Sequence, residues 1–135
     1  MTPIHARVDI VHRYLRALDA GDTGEIVTLF HPAGEVISPF LGRVPTTGFF
    51  AKLAESSLRS DITVHDVLPS LTEPRVAAYF HYGWTLRDGS VVEFDCCDIF
   101  DFAPQPDDGT PPQIATMTII YDTAPVRAAI GDKYA

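Results

Sequence analysis

In FDCCDIFDF, residues 94–102, one acidic residue sits where acids are rarely found. Side chains alternate along a strand, so Phe94, Cys96, Asp98, Phe100 and Phe102 share one face. Asp95, Cys97, Ile99 and Asp101 share the other. Asp98 is the single carboxyl group on an apolar, aromatic face. An ionised carboxylate there is costly, so the group should be paired, or protonated through a raised pKa. A protonated carboxyl can donate a hydrogen bond to a developing enolate oxygen. The plainer alternative is that Asp98 bonds a buried backbone group or an arginine at a strand end.

Other reactive residue types fall in patterns that exclude familiar chemistries. Cys96 shares the face of Asp98 and should be a poor thiolate among phenylalanines. Cys96 and Cys97 are chain neighbours on opposite faces, a poor geometry for a mutual disulfide, and no zinc-type spacing exists. Reduced thiols and a cytoplasmic location are the expectation. None of Ser38, Ser56, Ser57, Ser60, Ser70 or Ser90 lies in a nucleophile elbow, and no phosphate-binding or dinucleotide glycine loop occurs. His5 and His12 are too far apart on a helix for an i, i+4 metal pair. His65 and Asp66 point opposite ways, and Glu35 is expected in water or paired with Arg43. No metal and no cofactor are expected.

The elements that must position Asp98 follow from periodicity. Ile4, Val8, Val11, Leu15 and Leu18 form one helical stripe, with Tyr14 at its edge. Thr2 can cap that helix and Gly21 can end it. Asp22 followed by Glu25 resembles a capping box for a short second helix ending near Phe30. Residues 34–38 read as a short strand, and a Pro/Gly-rich bend follows. A third helix starts at Thr46 or Thr47. From Ile62 the pattern becomes four strands, with Asp88-Gly89 as the hairpin turn between the second and third. TAPVRAAIG reads as a last short helix. Helices first and connected strands later make an α+β fold with a curved antiparallel sheet, in one domain over residues 1–135.

Composition narrows the partners. A net charge of −8 with scattered basic residues works against nucleic acid and anionic membranes. No apolar run reaches membrane-spanning length.

Taken together, RYLRALDAGDTGEIVTLF at 13–30, EVISPFLGRVPTTG at 35–48, DGSVVEFDCCDIFDF at 88–102 and ATMTIIYD at 115–122 resemble the nuclear-transport-factor-2-like (NTF2-like) family. The nearest likeness is to its ketosteroid isomerase and SnoaL-like polyketide cyclase group. The resemblance implies a cone, a curved sheet wrapped around three N-terminal helices with a pocket inside, and a homodimer. In ketosteroid isomerases a Tyr and an Asp form an oxyanion hole, and Tyr14 and Asp98 match those positions. The carboxylate base of those enzymes is replaced here by Ser38, whose hydroxyl is not basic near neutral pH.

Counting back from the Asp88-Gly89 turn, the resemblance sends Tyr79, His81, Gly83 and Thr85 to the concave face and Phe80, Tyr82 and Trp84 to the outer one. His81 is then the expected replacement base, unless it merely bonds a neighbouring strand. Ser38, Phe30, Phe40, Phe50, Gly83, Phe100, Met117 and Ile119 are the expected substrate contacts. As a group the apolar residues suit a small-molecule pocket, although each alone also suits a core. The expected function is a cofactor-free isomerase, cyclase or dehydratase acting on a small apolar carbonyl compound. The alternatives are a module that binds a hydrophobic molecule without chemistry, and an interaction domain dimerising through Phe80, Tyr82 and Trp84.

Overall fold

In the computed structural model, which describes residues 3–107 and 109–125, the first stripe becomes helix α1, Pro3–Ala20. Its buried face carries Val11, Leu15 and Leu18, as the spacing requires, together with Ile10, Ala17 and Tyr14. Tyr14 therefore lies inside the stripe rather than at its edge. Gly21, at φ 71°, ends the helix in the left-handed conformation that glycine adopts without penalty. The Asp22 carboxylate accepts the backbone N–H of Glu25 at 3.0 Å and starts α2, Thr23–Thr28. The proposed Thr2 cap and the helix proposed for TAPVRAAIG, beyond its first residues, fall outside the described residues.

Strand β1 runs Phe30–Ser38, four residues earlier than its sequence pattern indicates. Its first half contains Pro32 and is a bulge between the Phe30–Ile114 and Glu35–Thr116 pairs. A proline is tolerated at a bulge because no ladder N–H is needed there. The bend after Ser38 closes a tight hairpin with β2, Gly42–Pro45, in which Arg43 meets Glu35 at 3.0 Å. Helix α3 is Thr46–Ser56. Strands β3 (Ser57–Pro69), β4 (Arg75–Leu86), β5 (Val91–Phe102) and β6 (Ile114–Tyr121) complete one six-stranded sheet in the order β2-β1-β6-β5-β4-β3.

The sheet is mixed rather than wholly antiparallel, because β1 pairs with β6 in parallel. The chain enters β1 from α2 at the end of the sheet where β6 begins: the Ile114 N–H donates to the Leu29 carbonyl, 3.0 Å. The helices lie against one face of the sheet, and the main core fills the space between them. Val11, Ile26, Val36, Val76, Phe100, Ile114 and Met117 are fully buried there.

The hairpin between β4 and β5 decides which side chains face that space. The sequence points to Asp88-Gly89 as a two-residue turn, which would require positive φ at both positions. Only Gly89 has it, at 88°, and no other described residue than a glycine does. The loop is instead the three residues Arg87, Asp88 and Gly89, with the Leu86 N–H donating to the Ser90 carbonyl. One extra loop residue moves the register by one and turns every β4 side chain to the other face. Ala78 pairs with Asp98, Phe80 with Cys96 and Tyr82 with Phe94.

Candidate active site

Antiparallel partners project to the same side of a sheet, so the face that carries Asp98 also carries Phe80, Tyr82 and Trp84. The expected arrangement is reversed: these aromatics line an internal cavity, and Tyr79, His81 and Gly83 lie on the outer face. The cavity has a volume of about 190 Å³. Its buried end holds Tyr14 and Asp98, each 2% exposed, with Cys96, Phe80 and Tyr82. Trp84, Phe94, Ile119, Tyr121, Phe40 and Ser38 form walls, and Phe49, Lys52, Leu53 and Ser56 supply a side from α3.

Asp98 accepts a hydrogen bond from the Cys96 thiol at 3.0 Å, its sole hydrogen bond among the described residues. Burial raises its pKa from 3.8 to about 7, and the thiol contact pulls it back down by a smaller amount. Near neutral pH the carboxyl is therefore shared between its acid and base forms. The thiol is not a nucleophile: burial, then the nearby Asp98, push its pKa far up. Burial and then the charge of Asp98 hold the Tyr14 phenol well above its usual range. Tyr82 is pushed up to about 12 by burial, against the opposing effect of its 2.7 Å hydrogen bond with Ser60. These phenols are donors at physiological pH.

The other expected contacts divide into two groups. Ser38, Phe40 and Ile119 line the cavity. The Ser38 hydroxyl oxygen accepts the backbone N–H groups of Phe40 (3.2 Å) and Leu41 (3.3 Å), so it shapes the β1–β2 turn. Phe30, Phe50, Phe100 and Met117 are buried behind the lining instead. Two of them support Tyr14, whose ring makes edge contacts with Phe100 at 5.0 Å and Phe50 at 6.2 Å.

His81 is a correction. Its ring nitrogens meet Asp95 at 3.1 Å and Glu93 at 3.3 Å on the outer face, and Asp95 also holds His65 at 3.1 Å. The hydrogen bonds to Glu93 and Asp95 raise its pKa, as for a surface histidine between carboxylates. The sheet separates it from Asp98. Gly83 is also removed from the substrate contacts: a Cβ there would approach Asp61 on β3, not a ligand. Among the described residues, no group of three His, Cys, Asp or Glu side chains could hold a metal ion.

Not expected at the cavity are Phe80, Tyr82, Trp84, Phe94 and, on α3, Lys52, Leu53 and Ser56. The β4 aromatics follow from the three-residue hairpin loop, which the sequence does not distinguish from a two-residue Asp-Gly turn. The α3 residues share one helical stripe, Phe49, Lys52, Leu53 and Ser56, which periodicity could have shown.

Residues 11–109 match the family model described as the SnoaL-like domain. The chain belongs to the SnoaL-like family. Solved structures agree on the fold. A putative SnoaL-like polyketide cyclase from Jannaschia sp. CCS1 superposes with a TM-score of 0.75 at 19% identity, covering 98% of this chain and 96% of that one. An NTF2-like protein of unknown function from Burkholderia pseudomallei K96243 gives 0.75 at 14% identity, covering 97% and 99%. AclR from Streptomyces galilaeus, a putative hydroxylase, gives 0.72 at 14%, covering 95% and 97%. No curated protein matches the chain. The SnoaL-like chain thus has the NTF2-like α+β cone expected of it, with the cavity between helices and sheet.

Proposed function

We propose that this SnoaL-like protein is a cofactor-free acid–base enzyme acting on a small apolar carbonyl compound, in which Asp98 moves the proton and Tyr14 holds the oxygen. The observation that carries this reading is a buried carboxyl group, bonded only by a thiol among the described residues, in the wall of an aromatic cavity that also holds the Tyr14 phenol; burial raises its pKa to about 7. A catalytic group works best when its pKa lies near the working pH, and burial has brought Asp98 there. Ionised Asp98 takes a proton from the carbon next to the carbonyl. The electron pair moves onto the oxygen, which the Tyr14 hydroxyl stabilises by donating a hydrogen bond. The protonated carboxyl then returns the proton, either to another carbon, giving an isomer, or to the alkoxide formed when the enolate carbon closes a ring on a second carbonyl. The polyketide cyclase named among the similar structures is consistent with the second outcome.

A second reading, a binding module without turnover, is favoured by Ser38. It stands where ketosteroid isomerases carry their base, and its oxygen is engaged by two backbone N–H groups. Two measurements test both. Titration with phenols, which mimic the enolate, is expected to lose at least tenfold in affinity in Tyr14→Phe and to change in pH dependence in Asp98→Asn. Unaltered binding in both variants rejects the site. Incubation of a bound cyclic ketone in heavy water is expected to exchange its α-hydrogens in the wild type and not in Asp98→Asn. Phenol binding without exchange selects the binding module.

A further inference from the structure

We infer that the cavity takes a one-ring compound with an anionic substituent, its carbonyl or phenolic oxygen at Tyr14 and Asp98 and its anion at Lys52; the orientation rests on the reading of Asp98 above. The size comes from the volume. A dry cavity of about 150 Å³ suffices for one benzene, and this one offers about 190 Å³. A fused polycycle would leave most of its rings in water.

The direction comes from exposure. Tyr14, Asp98 and Cys96 are buried at one end, whereas Leu41, Lys52 and Ser56 are exposed and form the mouth. A ring entering between Phe40, Trp84 and Phe94 therefore leads with its oxygen and leaves its substituent among the mouth residues.

The charge comes from Lys52, the one cation among the described residues lining the cavity. Five other basic residues of this acidic chain are committed: Arg13, Arg43, Arg59 and Arg75 hold carboxylates, and Arg87 donates to the carbonyls of Ala54 and Glu55 at the end of α3; Arg7 and Arg16, on α1, do not line the cavity. Lys52 forms no ion pair among the described residues. It lies on the α3 stripe with Phe49, Leu53 and Ser56 that lines the cavity, exposed at the mouth. A lysine at that position can lay its methylene stem along the apolar lining and present its ammonium group to an anion on an entering ligand.

Calorimetric titration of the full chain with para-hydroxyphenylpropionate, its methyl ester and para-ethylphenol tests this. The acid is expected to bind wild type about fivefold to tenfold more tightly than the ester, as for a partly exposed charge pair, with the preference shrinking as salt is added. In Lys52→Met the acid and ester should become equal, while para-ethylphenol, which carries no anion, stays within twofold. Equal binding of acid and ester to wild type overturns the proposal. So does a preference that survives in Lys52→Met, tighter binding of a four-ring phenol than of any one-ring compound, or no binding of any of the three. The Asp98 reading is judged separately: para-ethylphenol affinity whose pH dependence vanishes in Asp98→Asn upholds it even where acid and ester bind alike.

Discussion

Burying a carboxyl group with one thiol as its partner favours the protonated form, and this has a consequence for stability with a definite sign. The unfolded carboxyl titrates near 3.8 and the folded one near 7. Between those values the folded state binds more protons than the unfolded state, so stability falls as pH rises and the contribution is lost by the time pH passes 7. Asp98→Asn, which cannot ionise, should remove this slope. Denaturant melts should show the variant similar to wild type at pH 4 and more stable at pH 8, by an amount on the order of 3 kcal/mol, while proton exchange on a bound ketone is lost. Gains of this kind are expected where a site holds a strained charge for function. Cys96 tunes the same group. Its thiol lowers the Asp98 pKa, so Cys96→Ala should move the midpoint of the activity–pH profile upward. The placement of Asp98 and Tyr14 at the cavity was legible in the sequence, but by different routes. One acid on an aromatic face can be seen from alternation alone. Tyr14 was identified by resemblance, since a tyrosine within a helical stripe differs in no local way from a core residue.

At the scale of elements, the alternation of β5 was read correctly and that of β4 was reversed, and the cause is a single loop residue. A two-residue Asp-Gly turn and a three-residue loop ending in Gly look the same in sequence when the residue before Asp is unremarkable, as Arg87 is. The difference lies in φ at Asp88, which no side chain reports. Gly89, at φ 88°, holds the register, so Gly89→Ala is expected to cost about 1–2 kcal/mol in a denaturant melt through strain in the turn. It should disturb the Trp84 fluorescence as well, because Trp84 is a cavity wall fixed by its 2.7 Å bond to Ser57. His81→Ala, by contrast, alters the outer face only. It should leave phenol affinity and exchange rate within twofold of wild type, and a larger loss would return His81 to the mechanism. The β1–β2 hairpin was hidden for a related reason: Pro39, Gly42 and Pro45 read as punctuation, and a four-residue edge strand has too few positions to show alternation.

For the whole molecule, the order of helices and strands indicates an α+β fold with a curved sheet and the family resemblance supplies the cone, whereas the mixed pairing of the sheet depends on how β1 meets β6, a long-range contact with no local signature. The interior that results is part core and part cavity, and the two share residues. Phe100 is fully buried and holds the Tyr14 ring, so Phe100→Ala should cost about 3–5 kcal/mol and also weaken phenol binding, measured by denaturant melt and titration. Filling the cavity should work in the other direction. A ligand at one hundred times its dissociation constant adds about 2.7 kcal/mol, a rise in melting temperature on the order of 10 °C for a chain of this size. The claim on which the account turns is that Asp98 changes protonation near neutral pH inside that cavity. Carbon-13 resonances of the aspartate side-chain carboxyls, followed across pH in wild type and in Asp98→Asn to assign the signal, measure this directly. A carboxyl with its midpoint near 7, absent from the variant, is the predicted result; an Asp98 midpoint in the ordinary range near 4 would contradict the account.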